Sequence, residues 1–350
     1  MSQTKKTKLK RRIFTPIRLF ILLLILMVLI MGVWLGLRTA IVKGITIGIR
    51  NMEAEGYQIA HGGLNVSGFP LSVNAASSDI SVQAPAGAAD DLSKNWSVKL
   101  SDFNFGTATI TPLSWQFRHR GDMRVDMRGA GGERYMFDIT PAKVDARGAI
   151  NLKGNLKSAQ IDIGKTTLSP VVGTPPIVLG AKDAHMDVKI NGANARLNIN
   201  VHDIILSDLG MDQIEHVLGQ MFSEFSLTMT VNNWADLETN GPETWMKNEG
   251  KLSSDSWALH WGKVDLTGDF DIHFENGLPN GLLNIRIKDL PQLIDAIDQM
   301  GMVDEESIRY ARTFAKGYKP EEDGRIALPL PIRDGWITFL SQPVYQLPGF

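Results

Sequence analysis

The sequence predicts an α+β chain that is mainly β: an N-terminal transmembrane helix, then an elongated, antiparallel, curved sheet with a few packing helices. Three observations predict it. Residues 19–37 (LFILLLILMVLIMGVWLGL) carry no charge. From Tyr57 onward the dominant hydrophobic period is two, the mark of strands with one wet and one apolar face. The 350 residues include 33 glycines and 16 prolines, which supply turns between short strands.

The anchor comes first. A 19-residue helix rises about 28 Å, close to the hydrocarbon thickness of a bilayer. Fourteen of its residues are Leu, Ile, Phe or Val, an insertion drive of about 6 kcal/mol. Arg18 and Arg38 flank the run, seven basic residues from Lys5 to Arg18 precede or bound it, and no acidic residue appears before Glu53. The positive-inside rule then makes 1–18 a basic cytoplasmic tail and 19–37 the inner-membrane span, with the remainder in the periplasm. A cleaved signal peptide is the rival reading. It calls for a shorter apolar region and a small-x-small site, whereas Leu37-Arg38-Thr39-Ala40 follows here. An uncleaved anchor is expected.

Residues 38–56 read as a juxtamembrane helix and 57–350 as the β-rich domain. Strand alternation is carried by Leu64, Val66, Leu71 and Val73, by Trp96, Val98 and Leu100, by Tyr135, Phe137 and Ile139, by Met186, Val188 and Ile190, and by Leu197, Ile199 and Val201. The segments Leu64–Gly68, Ile150–Gly154 and Val264–Gly268 share an apolar–Asn/Asp–apolar–polar–Gly pattern, each predicting a strand end closed by a positive-φ glycine. Helical spacing appears at Ile214, Val217, Leu218, Met221, Phe222 and Phe225, and again at Leu290, Leu293, Ile294 and Ile297 after a capping Asp289. A weaker helix spans Asp304 to Phe314. Pro170 and Gly173-Thr174-Pro175-Pro176 mark a candidate lobe boundary near 170–182.

From Val264 to Glu275 alternation is nearly strict. Asp265, Asp269, Asp271, His273 and Glu275 share one face, which invites a divalent-metal reading. Cross-strand charge pairing explains the same row without a ligand. With a turn over Asn276–Gly281, Asp271 would face Arg286 and Asp269 would face Lys288. No metal site is expected.

The chemistry search excludes more than it finds. Zero cysteines remove disulfides, thiol catalysis and Fe–S clusters. The near-neutral charge of -2 argues against nucleic acid as a partner. The seven histidines form no HExxH spacing, and no GxSxG elbow, phosphate loop or dinucleotide loop is present. No catalytic residue and no cofactor is expected; a hydrolase with dispersed residues is the least favoured alternative. Arg118, His119, Arg120, Arg124 and Arg128 form a basic cluster interleaved with Asp122 and Asp126, the pattern of a solvated strand face. Trp257, Leu259 and Trp261 share strand parity. With Phe270 and Ile272 they are the candidate lining of an apolar groove.

The motifs Val66-Ser67-Gly68-Phe69-Pro70-Leu71, Leu328-Pro329-Leu330-Pro331, Asp334-Gly335-Trp336, Pro343-Val344 and Leu347-Pro348 resemble an uncharacterised, chiefly alphaproteobacterial, family of single-pass envelope proteins. More distantly, the anchor, the apolar–x–apolar–x–Gly strands and the segment Val264–Ile297 are similar to AsmA-type envelope proteins. That resemblance implies a curved sheet with a hydrophobic groove and a role in lipid transport or envelope assembly. Neither resemblance implies catalytic residues.

The expected function is therefore non-enzymatic binding of membrane lipid or a hydrophobic partner in an apolar groove. The alternative is a scaffolding module that joins an envelope protein through its sheet edge. The charge is split accordingly: seven basic and no acidic residues through Arg18, then 29 basic against 38 acidic.

Overall fold

The computed structural model describes residues 16–87, 94–128, 132–141, 143–173, 178–206, 212–301, 303–339 and 342–347. The apolar run and the juxtamembrane segment form one unbroken helix, α1 (Pro16–Ala54), of 39 residues and about 58 Å. Residues 22–29 of α1 are all exposed. From there a half-buried stripe begins: Ile30, Trp34, Leu37, Ile41, Ile45, Ile49 and Met52. Steps of three and four place these residues on one helical face, and that face lies on the start of the sheet.

The sheet begins with β1 (Gln58–Ala60) and β2 (Asn65–Ser67), laid end to end along β3 (Ser72–Gln83). Beside it runs β4 (Trp96–Ala108), which carries β5 (Thr111–His119) and β6 (Met123–Arg128) end to end. The same division recurs in β7 (Arg134–Pro141) with β8 (Val144–Ile150), and in β9 (Leu156–Ile163) with β10 (Thr166–Val172). It recurs once more in β11 (Val178–Ala181) with β12 (Asp183–Asn191); the long strand β13 (Asn194–Leu206) then pairs with both. Each divided pair is one strand with a break in it.

The breaks line up across the sheet, at residues 61–64, 120–122, 143, 164–165 and 182. On the undivided strands the line meets Asp79 and Asp203, both at positive φ (54° and 47°). Aligned irregularities of this kind bend strands and increase their twist, so the first half of the sheet is creased along a line.

The second half adds α2 (Asp212–Leu218), β14 (Met221–Val231), α3 (Trp234–Lys247), β15 (Lys251–Trp261), β16 (Val264–Glu275) and β17 (Leu278–Lys288). Then follow α4 (Leu290–Met300), α5 (Glu305–Gly317), β18 (Arg325–Arg333), β19 (Trp336–Phe339) and β20 (Gln342–Gln346). Every strand pairs antiparallel with the one before it. The whole is one open meander. It exposes 22521 Å², against about 14,000 Å² for a compact monomer of this mass; the projecting helix and the open sheet contribute to the difference.

One face is apolar from end to end. A single row of directly opposed residues runs Ala75, Phe105, Phe117, Ala146, Ile161, Met186, Ile199, Leu227, Trp257, Gly268, Ile285, Leu328. Helices cover it in places. Ile294 of α4 and Ile308 of α5 pack on Ile287 and Ile326. Leu218 of α2 joins Val264, Ala296 and Met300. Trp245 and Met246 of α3 close the other strand ends over Val231 and Phe274.

Several sequence expectations are corrected. The stripe from Ile214 to Phe225 is not one helix: α2 stops at Leu218, Gly219 turns at φ 80°, and Met221, Phe222 and Phe225 enter β14. Asp289 precedes α4 at φ 49° and makes no side-chain cap, whereas Asp304 does cap α5 through Ser307 N at 2.9 Å. Helix α3 was not anticipated, because Gly241-Pro242 interrupts it. The β16–β17 turn is only Asn276-Gly277, both at positive φ, the preferred two-residue hairpin. The register therefore slips by four residues, so Asp271 faces Leu282 and Asp269 faces Asn284. An even slip leaves the faces unchanged. Gly68 and Gly154 have positive φ, at 103° and 87°. Gly268 instead lies within β16, under the Trp257 ring. The strands flanking the candidate boundary near 170–182, β10 and β11, pair with each other; residues 174–177 lie outside the described residues.

Candidate apolar binding face

The apolar face becomes a cavity where α1 lies on it. Ile45 and Ile49 of α1 oppose Ile59, Ile80, Val82, Leu100, Phe103 and Phe117 across a half-open cavity of about 380 Å³. Only Thr46, His61 and Ser77 contribute polar side chains to the lining. The volume lies within the range of small-molecule sites, and its lining suits apolar matter. These residues meet because Val82, Ile80, Leu100 and Phe117 alternate inward while α1 repeats every four residues.

The five residues expected to line a groove share this face, farther along it. Trp257, Leu259 and Trp261 alternate inward on β15, and Phe270 and Ile272 on β16. None is fully buried and none is exposed. Trp261 donates to Gly219 O at 2.8 Å and stacks on Phe222 at 4.4 Å, which ties it to the α2 corner. Trp257 differs. Its Nε1 is buried with no hydrogen-bond partner, an uncompensated cost for a buried N–H. Sequence reasoning missed the cavity under α1. The signal was present in Ile41, Ile45 and Ile49, but nothing in the sequence said which sheet residues this stripe would meet.

The opposite face is a lattice of charge pairs. Asp183 faces His202, which faces Glu224, then His260, then Asp265. Asp265 receives a bidentate Arg325 at 2.8 and 3.1 Å. Burial acting alone would raise the Asp265 pKa, but Arg325 outweighs it and holds the carboxylate below its usual range. Asp269 binds Asn284 at 2.6 Å and Arg286 at 2.9 Å, and Asp271 binds Lys251 at 2.8 Å. His273 meets Glu275 at 3.0 Å. Among the described residues no three such side chains are grouped as a metal site.

The basic cluster divides between two carboxylates. Arg118 and Arg120 join Lys143 around Asp145, which is 6% exposed. Arg124 pairs with Asp138. His119 is 1% exposed and sits on the crease, its ring nitrogens 2.7 Å from Asp102 O and 3.1 Å from Gly121 O. Of the two residues expected to flank a membrane span, Arg38 is exposed on α1 and Arg18 lies in the first turn of that helix.

A long apolar helix carrying an open β-meander defines a β-rich protein with, among the described residues, one helix long and apolar enough to cross a membrane. Residues 34–348 match the model of a bacterial family described as an uncharacterised protein conserved in bacteria (DUF2125). The chain belongs to that family. The matched region begins at Trp34 and so takes in the half-buried stripe of α1 from Trp34 to Met52. No curated protein and no solved structure is significantly similar to the chain.

Proposed function

We propose that this is a non-enzymatic, inner-membrane-anchored protein whose periplasmic sheet holds lipid acyl chains on its apolar face. The observation that carries the reading is the 380 Å³ apolar cavity between the anchor helix and the sheet. It adjoins an apolar row that crosses the sheet and is covered by helices only in places. An anchor that roofs an apolar cavity gives a bilayer-derived chain a short path from the membrane. The basic residues before the span support a cytoplasmic N-terminus. The resemblance to AsmA-type proteins points the same way.

The test is in-cell photo-crosslinking of the full chain, with a benzophenone amino acid at Phe103 or Phe117. A phospholipid or acyl adduct on the cavity positions, absent from a probe at exposed Glu322, is the expected result. Adducts to protein alone would replace the lipid reading by the scaffolding one. That second reading has its own support: β20 is exposed along its whole length and pairs only with β19 among the described strands. Pro343 removes one donor from this edge, which limits it as a pairing template.

A further inference from the structure

Three hairpin tips lie side by side on the sheet end next to Trp34. They are the loop 68–71 before β3, the turn 109–110 between β4 and β5, and the turn 151–155 between β8 and β9. Successive tips are two strands apart, about 10 Å. They carry Leu71, Ile110 and Leu152, exposed by 74, 87 and 93%. Outside α1 no other large apolar side chain among the described residues is as exposed. The first two tips are fastened together, since Thr109 donates from N and Oγ1 to Leu71 O and Pro70 O, both at 2.9 Å.

Their depth is fixed by α1. Trp34 Nε1 donates to Ser72 O at 2.7 Å, and its ring meets Phe69 edge-on at 5.4 Å. Trp34 is one turn from the end of the uncharged run 19–37. Whatever touches it lies at the level of the membrane interface, where tryptophan is favoured. Farther up the helix, Ile45 and Ile49 meet Ile80 and Val82. The strands therefore rise away from the membrane alongside α1, and the tips point toward it.

Charge agrees. The chain beyond Arg38 is acidic, yet segments 62–78, 103–121 and 146–161 contain no Asp or Glu, and the third tip carries Lys153. A carboxylate-free, apolar rim beside a cationic side chain fits an anionic lipid surface. Farther along the same sheet end, α3 presents Glu238 and Glu243, which keeps that part off such a surface.

We infer that the tips at Leu71, Ile110 and Leu152 insert into the outer leaflet of the membrane that holds α1, seating the sheet with one end of its apolar face on the lipid. The occupant of the rim is the bilayer itself. The inference rests on the reading of α1 as a membrane span, and the experiment separates the two.

The chain has no cysteine, so single labels are clean. Leu71→Cys, Ile110→Cys and Leu152→Cys variants of the full chain, labelled with NBD, are reconstituted into phosphatidylethanolamine–phosphatidylglycerol vesicles containing spin-labelled phosphatidylcholine. Val28→Cys in α1 reports the span, and Glu322→Cys reports the far end of the sheet. Blue-shifted emission quenched to about half at the three tips, with no quenching at 322, is expected for insertion of 5–10 Å. Quenching at 28 without quenching at the tips overturns the inference and leaves the anchor standing. No quenching at 28 overturns the anchor reading itself. A blue shift at the tips without lipid quenching means protein covers them, and also overturns the inference.

Discussion

The Trp257 ring lies over Gly268, the residue directly opposite it on the neighbouring strand. A Cβ at position 268 would collide with Asn284 O on β17 and fall 2.7 Å from the indole ring. Trp115 on β5 covers Gly148 on β8 in the same way, in the first half of the sheet and on the same apolar face. Each glycine vacates the volume that a large ring fills, so the sheet keeps a flat aromatic platform where a side chain would otherwise project.

Gly268→Ala must displace both that ring and the Asn284 carbonyl. The expected cost is about 1–3 kcal/mol, the usual range for overpacking. Denaturant unfolding of the detergent-solubilised chain measures it. Trp257→Leu in the same chain should recover the part of the loss that the ring causes, because the two sites are in contact, while the part caused by the Asn284 carbonyl remains. Strict additivity of the two substitutions would mean that the indole does not occupy the space above Gly268.

Asp145 makes the crease sensitive to acid. Burial opposes its charge, but hydrogen bonds from Lys143 and Arg120 prevail and hold its pKa below the usual carboxylate range. A depressed carboxylate contributes stability that is complete above its unfolded pKa of about 3.9 and is lost as pH falls through the lower folded value. Asp145→Asn should lower stability at neutral pH by about 1–3 kcal/mol, since three cations lose their counter-ion. The difference from wild type should narrow below about pH 3. A difference independent of pH would assign the effect to packing alone.

His185 works in the opposite direction. Its Nδ1 lies 2.6 Å from Asp162 and its Nε2 3.5 Å from Asp187. The Asp162 hydrogen bond raises the His185 pKa against the opposing effect of burial, and the same bond lowers that of Asp162. The stabilisation is present below the unfolded histidine pKa of about 6.5 and is lost as pH rises through the raised folded value. Thermal unfolding from about pH 6 to pH 9 should show wild type losing stability relative to His185→Gln. Parallel curves would remove the ion pair from the stability of the folded chain. Both side chains are more than a third exposed, so the effect is expected to shrink with added salt.

The faces of the sheet were legible in the sequence, while its partners were not. Alternation in Trp257, Leu259 and Trp261 and in Phe270 and Ile272 placed all five on one side, and even a four-residue error in the β16–β17 register left them there. Parity survives an even slip. Asn276-Gly277 held the register, and the wider turn assigned to residues 276–281 hid it. The collinear breaks from His61 to Asp203 were not readable, because one bulge in one strand has meaning only beside the next. The cavity was hidden for the same reason. Ile45 advertises an apolar helix face, but pairing it with Leu100 and Phe117 requires the fold. Tertiary context also overrode the helical spacing at Met221, Phe222 and Phe225, where Gly219 ends α2 and the edge of β13 offers a strand partner.

The joint between α1 and the sheet gives the last prediction. Gly68 has φ 103°, and a Cβ there would collide with Asn74 Nδ2 at 2.7 Å, so the Val66–Leu71 motif can close only with glycine. The loop so formed presents Phe69 and Ser72 O to Trp34. Trp34→Phe keeps the ring contact and removes the donor, for an expected loss of about 1 kcal/mol. Trp34→Ala removes both and should cost about 3 kcal/mol or more, as for other large aromatic truncations. Hydrogen exchange localises the effect. Amides of 68–74 should exchange faster in the order wild type, Trp34→Phe, Trp34→Ala, while those of 278–288 in β17 stay unchanged, since local opening is confined to the unit that loses its contacts. Uniform acceleration throughout the sheet would mean that Trp34 stabilises the whole domain and not the joint. No acceleration at 68–74 would mean that helix and sheet are not fastened there, and the level of the hairpin tips relative to the membrane would lose its physical basis.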